Sequence, residues 1–379
     1  MKVLFVDDEA RVLEALERVL FDVAGDWETR FLTSTDLALA ELAKQPYDVI
    51  VSDLRMPGLD GVALLTRVAE LYPRTVRIVL SGHSDEEAAL KMIHVAHQFL
   101  AKPCTAETVH QVIARAVDLT RLLPDRKLQT LVGQAGSLPC SPPLHQQLLQ
   151  LATTDDAPSA EEMARLIKQD PGMTSKLLQV ASSAFFNSAS SVTDVESAIM
   201  RLGFRTLRNL AHSFGVVPPA AHAAVQQAQA RALHVARLAA GMARLPEDAS
   251  AAYIAGLLCD VGQLVLITAS PERLYLSQAE AAQRGVADHL AERATWGATH
   301  AEIGAYLLGL WGLPFQIVEA VANHHAPEKS QEDRGGLTQL VWLASCIVDA
   351  VEPAPDSLSR FGLETQYIAQ RAAFRRELS

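Results

Sequence analysis

The stretch "VSDLRMPGLDG", residues 51–61, decides the fold of the first third of the chain. It joins a β-rich run, "YDVIVSD", to a helical pattern, "GVALLTRVAELY", and leaves Asp53 at the junction. The same alternation repeats outward from it. "KVLFVD", "WETRFLT", "VRIVLSG" and "QFLAKP" read as further strands. "EARVLEALERVLFDVAG", "DLALAELAKQ", "EEAALKMIHVAHQ" and a segment from about 105 to 123 read as helices. Strands alternating with helices predict an α/β domain built on a doubly wound, five-stranded parallel sheet over residues 1–122. Pro124 ends the fifth helix at Leu123 and opens a linker at 123–130.

Beyond about residue 128 the β-rich runs disappear and an all-helical region is expected over 131–350. "QDPGMTSKLLQVASSAFF" offers Asp170 as N-cap and Pro171 at the first helical position, and "DVESAIMRLGFRTLRNLAHSF" predicts a helix with a break at Gly203. Pro218-Pro219 divides the region into a leading helical bundle, 131–218, and a longer helical core, 220–350. The tail, 351–379, also reads as helical.

The 379 residues carry a net charge of −11, which argues against broad nucleic-acid binding, and no helix-turn-helix is evident. Four scattered cysteines without a CxxC pair suit a reducing cytosol. Asn209 to Ala230 lack charged residues, but two prolines, two histidines and three glutamines interrupt them, so no membrane span is expected. The N-terminal apolar run is too short for a signal peptide, and a cytoplasmic protein is expected.

In an open α/β sheet, function gathers at the carboxyl ends of the strands. Here those ends carry Asp7 and Asp8, Asp53, Ser81 and Lys102. Any one of them alone reads as an ordinary strand end; together they form a coherent set. Three converging carboxylates repel one another unless they share a cation, and hard oxygen donors suit Mg²⁺. A carboxylate is also a nucleophile toward phosphorus, giving an aspartyl phosphate. Lys102 would offset charge on the phosphoryl group, and the Ser81 hydroxyl would donate to it.

On "FVDDE", "VSDLRMPGLDG", "VLSGHSD" and "FLAKP", residues 1–122 resemble the receiver domain of two-component response regulators, a flavodoxin-like fold. The resemblance implies Asp53 as phosphoacceptor, Asp7, Asp8 and Asp53 as metal ligands, and Arg55 as donor of a backbone carbonyl to the metal. It makes Ser81 and Lys102 the switch residues and puts Phe99 at the aromatic switch position, where a tyrosine is frequent. It further implies a sensor histidine kinase as partner, and a face on the fourth helix, fifth strand and fifth helix that changes its contacts with a twin receiver or with the second domain on phosphorylation.

In the helical half, His234, Cys259, Asp260, His300, His324, His325 and Asp349 are candidate metal ligands. Their order and setting resemble the HD superfamily of metal-dependent phosphohydrolases. More closely, "LPCSPPLHQQLLQL", "AIMRLGFRTLRNL", "AGLLCDVGQLVL" and "HAEIGAYLLGLWGLPFQIVEAVANHHAP" resemble the HDOD domain, a subfamily regarded as regulatory and noncatalytic. Where active HD enzymes carry His-Asp followed by Gly-Lys, this chain has Cys259-Asp260 and Gly262-Gln263, and no "GYP" follows His324-His325. The expectation is therefore a degenerate site with no catalytic metal, in which Asp260 is satisfied by a nearby histidine or backbone group. Arg201, Arg205 and Arg208, spaced four and three apart, form a candidate docking face on one helix. The function expected is a response regulator whose HDOD output binds a downstream signalling protein. The competing reading is a receiver-controlled metal-dependent phosphodiesterase.

Overall fold

Strands buried on both faces read as continuous apolar runs, and the central strands of the first domain obey that rule. The computed structural model describes the chain except residues 22–24, 57–59, 83–85, 120–122, 154–157, 184–191, 217–220, 333 and 378–379. The first domain runs β1 (Lys2–Val6), α1 (Ala10–Phe21), β2 (Glu28–Leu32), α2 (Thr35–Leu42), β3 (Val49–Asp53), α3 (Gly61–Leu71), β4 (Val76–Gly82), α4 (Glu86–Lys91), β5 (Gln98–Lys102) and α5 (Ala106–Asp118). All pairings are parallel, in the order β2-β1-β3-β4-β5. This is the doubly wound sheet expected from the sequence. Ser34, Asp60 and Thr105 cap α2, α3 and α5 through side-chain oxygens.

The second half begins with α6 (Arg126–Gly133), so most of the stretch expected as a linker is helix, capped by Asp125. It continues through β6 (Pro139–Cys140), α7 (Pro142–Thr153), α8 (Ala160–Ile167), α9 (Pro171–Ala181), α10 (Val195–Ala211) and β7 (Gly215–Val216), where β6 and β7 pair in parallel. The core comprises α11 (His222–Met242), α12 (Pro246–Leu258), α13 (Val261–Ala269), α14 (Pro271–Arg284), α15 (Asp288–Trp296), α16 (His300–Leu310), α17 (Phe315–Asn323) and α18 (Leu337–Val348). The tail folds as α19 (Pro355–Phe361) and α20 (Glu364–Glu377), the latter against α11 and α18. The division expected at Pro218-Pro219 lies outside the described residues. The stretch 248–269 is long and apolar enough to cross a membrane, but 83% of its most apolar window is buried within the domain.

Asp170 caps α9 as expected, accepting from Met173 N, and also accepts from Ser141 N and Gln229 Nε2. One carboxylate thus ties β6, α9 and α11 together, and burial pushes it up to about 6. Gly203 breaks α10 with φ 72°.

The two halves share one continuous apolar core. β5 is an edge strand of the sheet, yet its first three residues are buried, because the helical half covers it. Every residue of α9 is buried. Lys176 Nζ donates to Ile93 O (2.5 Å) and Gly136 O (2.6 Å) and lies 5.0 Å from the Trp311 ring centre. Gln179 Nε2 donates to His97 O (3.1 Å), and Gln98 Nε2 to Leu310 O (3.1 Å). Arg77, at the start of β4, donates through Nη2 to Gly133 O (2.7 Å), while Arg115 of α5 donates to Leu313 O.

Burial pushes the Lys176 ammonium well below its usual range. The unfolded side chain titrates near about 10.4, so between the two values the folded chain has released a proton that the unfolded chain keeps. Stability therefore rises with pH in that window. Lys176→Met fills the space but strands two buried carbonyls, a loss of about 1–3 kcal/mol for each polar group left unmet. In urea titrations, the stability of wild type relative to Lys176→Met should grow as the pH rises toward about 10, by up to about 1.4 kcal/mol per unit. A difference that stays flat would mean that Lys176 keeps its charge.

Candidate functional site

The first site is built from strand ends. β1, β3 and β5 lie side by side or one strand removed, so Asp7, Asp53 and Lys102 emerge along one edge of the sheet. Asp7, Asp8 and Asp53 bring carboxylate oxygens within 4.8 Å of one another. Asp7 and Asp53 are buried and Asp8 is exposed. Lys102 Nζ lies 2.5 Å from Asp7 Oδ2 and 3.0 Å from Asp53 Oδ2. Burial works against its charge, but the two carboxylates outweigh that and hold the ammonium above its usual range. Asp53 Oδ1 accepts from Leu54 N and Asp7 Oδ1 from Glu9 N, which fixes both carboxylates. Three hard oxygen donors with a water-accessible member form an acidic pocket typical of a Mg²⁺ site.

Ser81 is fully buried near the end of β4, in register with Ala101, and Gly82 is in register with Lys102. Arg55 is exposed two residues beyond β3. Phe99 is buried and faces a cavity of about 360 Å³ between the halves, lined also by Gln98, Arg115, Ser183 and Trp311. The Lys102-Pro103 peptide bond is cis.

The second site lies where the ends of α12, α16, α17 and α18 meet the middle of α11. The capping box of Thr299 and Glu302 starts α16 with His300 at its first position. Gly262 permits the approach of α13: a Cβ there would stand 1.9 Å from His300 O. Asp260, at the α12–α13 junction, does not cap α13; its side chain turns into the cluster. His300 Nε2 lies 3.3 Å and His324 Nε2 3.8 Å from Asp260 Oδ1. His300 also contacts His325 (Nε2 to Nε2, 3.0 Å) and Glu292 (Nδ1 to Oε2, 2.7 Å).

The cation of this cluster is Arg231. Its Nη1 pairs with Asp260 Oδ2, and its Nε and Nη2 grip Asp349 at 2.9 and 2.7 Å. Burial alone would raise Asp260, but Arg231 first and His300 next hold it well below the usual carboxylate range. Burial opposes charge on His300, yet Glu292 and Asp260 raise it to about 10, while burial and the neighbouring His300 lower His324 to about 3. Burial and Asp260 push the Cys259 thiol well up, so it packs as a small apolar side chain. Arg231, Gln263, His289, His325, Cys346 and Asp349 face a cavity of about 680 Å³.

Six of the seven residues expected here, Cys259, Asp260, His300, His324, His325 and Asp349, gather at this junction. His234 does not join them: its ring meets Phe374 of α20 edge-on, at 5.3 Å between centres, and is absent from the cavity wall. Arg231, one turn earlier, takes the inward position. Sequence reasoning missed Arg231 and Glu292, although Arg231 is the first charge after the long uncharged stretch from Asn209. The arginine face on α10 also needs correction. Gly203 interrupts the helix between Arg201 and Arg205, so the three do not share one unbroken helical face; Arg201 is half-buried and donates to Ala181 O, while Arg205 and Arg208 are exposed.

Comparison with known proteins matches both halves. The response regulator receiver domain profile covers residues 3–114 and the HDOD domain profile residues 138–327. The hydrogenase transcriptional regulatory protein HoxA of Cupriavidus necator is 42% identical over 127 residues, 32% of this chain and 25% of that protein. An uncharacterized protein of Treponema pallidum is 28% identical over 214 residues, 55% of this chain and 42% of that one. The chain thus spans less than half the length of these curated relatives. Among solved structures, the MmoQ response regulator of Methylococcus capsulatus is 27% identical with a TM-score of 0.47, covering 62% of this chain and 98% of its own. The HDOD match extends over half of the chain: it belongs to the HDOD family, with a response regulator receiver domain preceding its HDOD domain.

Proposed function

We propose that phosphoryl transfer from a sensor histidine kinase to Asp53 changes how the receiver docks on the HDOD domain. In this reading the HDOD domain signals in the cytoplasm by binding another protein and not by catalysis. The observation that carries the reading is the placement of β4 and β5. Toward their carboxyl ends the strands carry the residues read as switches, Ser81 and Lys102, and toward their starts residues bonded to the helical half, Arg77 and Gln98. Four steps of extended chain carry Gln98 to Lys102, about 13 Å.

An Asp53 carboxylate oxygen takes the phosphoryl group from the kinase histidine, whose bond to phosphorus breaks. A divalent ion held by Asp7, Asp8 and Asp53 would offset the charge that develops on the transferring group. Lys102, already 3.0 Å from Asp53, then follows the new dianion, and the Ser81 hydroxyl donates to it. Both movements pull on strands whose far ends are fixed to the HDOD domain. The noncatalytic reading rests on Arg231. Its guanidinium stands between Asp260 and Asp349 and neutralises the carboxylates that a catalytic metal of an HD enzyme would use.

Asp53→Asn should abolish labelling by a small phosphodonor such as acetyl phosphate; persistent labelling would assign the acceptor elsewhere. Hydrogen exchange at residues 93–99 and 176–179 should change when wild type binds beryllofluoride with Mg²⁺ and stay fixed in Asp53→Asn. Equal exchange in both would overturn the coupling. Arg231→Ala strands a fully buried carboxylate and should cost about 3–5 kcal/mol in chemical denaturation, whereas Asp349→Ala, at a half-exposed partner, should cost clearly less. No phosphodiester hydrolysis is expected; turnover that disappears in Asp260→Ala would restore the enzyme reading.

A further inference from the structure

We infer that the cavity between the two halves binds a small monocarboxylate with an apolar body, whose carboxylate pairs with Arg115. The site stands on the cavity alone; only its coupling to phosphorylation rests on the function proposed above.

Two arginines stand at the boundary without a carboxylate partner among the described residues. Arg77 is well supplied all the same, since its nitrogens donate to Val95 O, Pro73 O, Thr75 O and Gly133 O. Arg115, half-buried on α5, makes one hydrogen bond among the described residues, from Nη2 to Leu313 O. A guanidinium carries several N–H donors, and most of those on Arg115 are left over. Burial alone lowers Arg115 from its ordinary value, because no carboxylate opposes it. Arg115 opens onto the cavity of about 360 Å³, bounded also by Phe99 and Val112 of the receiver and by Trp311 and Pro314 of the helical half. No carboxylate among the described residues lines it. Two further polar side chains in its wall have committed donors elsewhere, Gln98 to Leu310 O and Ser183 to Val180 O. The cavity therefore offers one cation with donors to spare beside an aromatic and aliphatic wall.

That combination selects the ligand. A planar carboxylate matches the guanidinium fork with two parallel hydrogen bonds. One arginine balances one negative charge, which disfavours a phosphoryl dianion in the same place. An aromatic body fills the space beside Phe99 and Trp311 and removes apolar surface from water. The volume lies at the small end of the range for ligand sites, about 300–1,000 Å³. Arg115 and Phe99 belong to the receiver, and Trp311 and Pro314 to the helical half, so an occupant touches both and favours the docked arrangement. A change in docking then changes the affinity by the same free energy.

The test uses the full chain and benzoate, read by saturation-transfer NMR of its ring protons at constant ionic strength. A probe of this size should saturate one site with a dissociation constant of about 1 mM or tighter. Arg115→Gln, which keeps much of the bulk, should weaken binding about 10–100-fold. Val112→Phe, which fills the cavity and leaves Arg115 in place, should abolish it, and replaces the glutamine variant if circular dichroism shows the latter unfolded. No saturation by about 10 mM, equal binding of the neutral benzamide, or binding unchanged in both variants would overturn the assignment. So would displacement by inorganic phosphate at a lower concentration than benzoate itself requires. Beryllofluoride with Mg²⁺ should shift the dissociation constant of wild type. A constant that stays put, with both variants still defective, would uphold the site and overturn the docking switch.

Discussion

Arg231 reaches from the middle of α11 to two carboxylates on different helices, Asp260 at the α12–α13 junction and Asp349 at the end of α18. Asp260 is almost wholly buried, and a carboxylate in that position is tolerated only beside a cation. A guanidinium suits the task because it never loses its proton and offers two flat donor edges. Once it is in place, the ends of α12, α16, α17 and α18 are drawn to one point. The close contact of Gly262 with the start of α16 then follows as a packing requirement. Asp260 thus has a structural task of its own, as the buried partner of Arg231.

The receiver makes a parallel use of buried polarity. Its sheet would present β5 as an open edge, and the helical half closes it with α9, a helix buried on all sides. A helix in that position would ordinarily be apolar throughout. Instead α9 carries Lys176 and Gln179, both committed to carbonyls beyond their own domain or helix. Such side chains add little net stability against an apolar replacement, but they tolerate only one docking geometry, since any slip leaves them unmet.

The sheet and the caps were legible because they depend on neighbours in sequence. Apolar runs of five residues, Asp170 before Pro171, and a glycine inside an amphipathic helix each declare a local state. The docking of the halves was not legible in the same way. Lys176 stands in "MTSKLLQV" as an ordinary polar helix residue, and its burial is decided by Ile93, 83 positions away. The helical site fell between these cases. Six of its residues were identified from their order along the chain. His234 was misplaced because residues three apart on a helix lie close to one face, and its contact with Phe374 of the tail is not visible from the local sequence.

Among the described residues, five bonds across the receiver–HDOD boundary run from side chains to main-chain carbonyls: Lys176 to Ile93, Gln179 to His97, Gln98 to Leu310, Arg77 to Gly133 and Arg115 to Leu313. A carbonyl is present whatever residue bears it. Two of these bonds let the helical half read the path of the receiver backbone near residues 93–97, and the other three let receiver side chains read the helical backbone at residues 133, 310 and 313. The junction would then accept drift at the residues that bear the carbonyls, while each of the five donors is held in its identity by the backbone it meets.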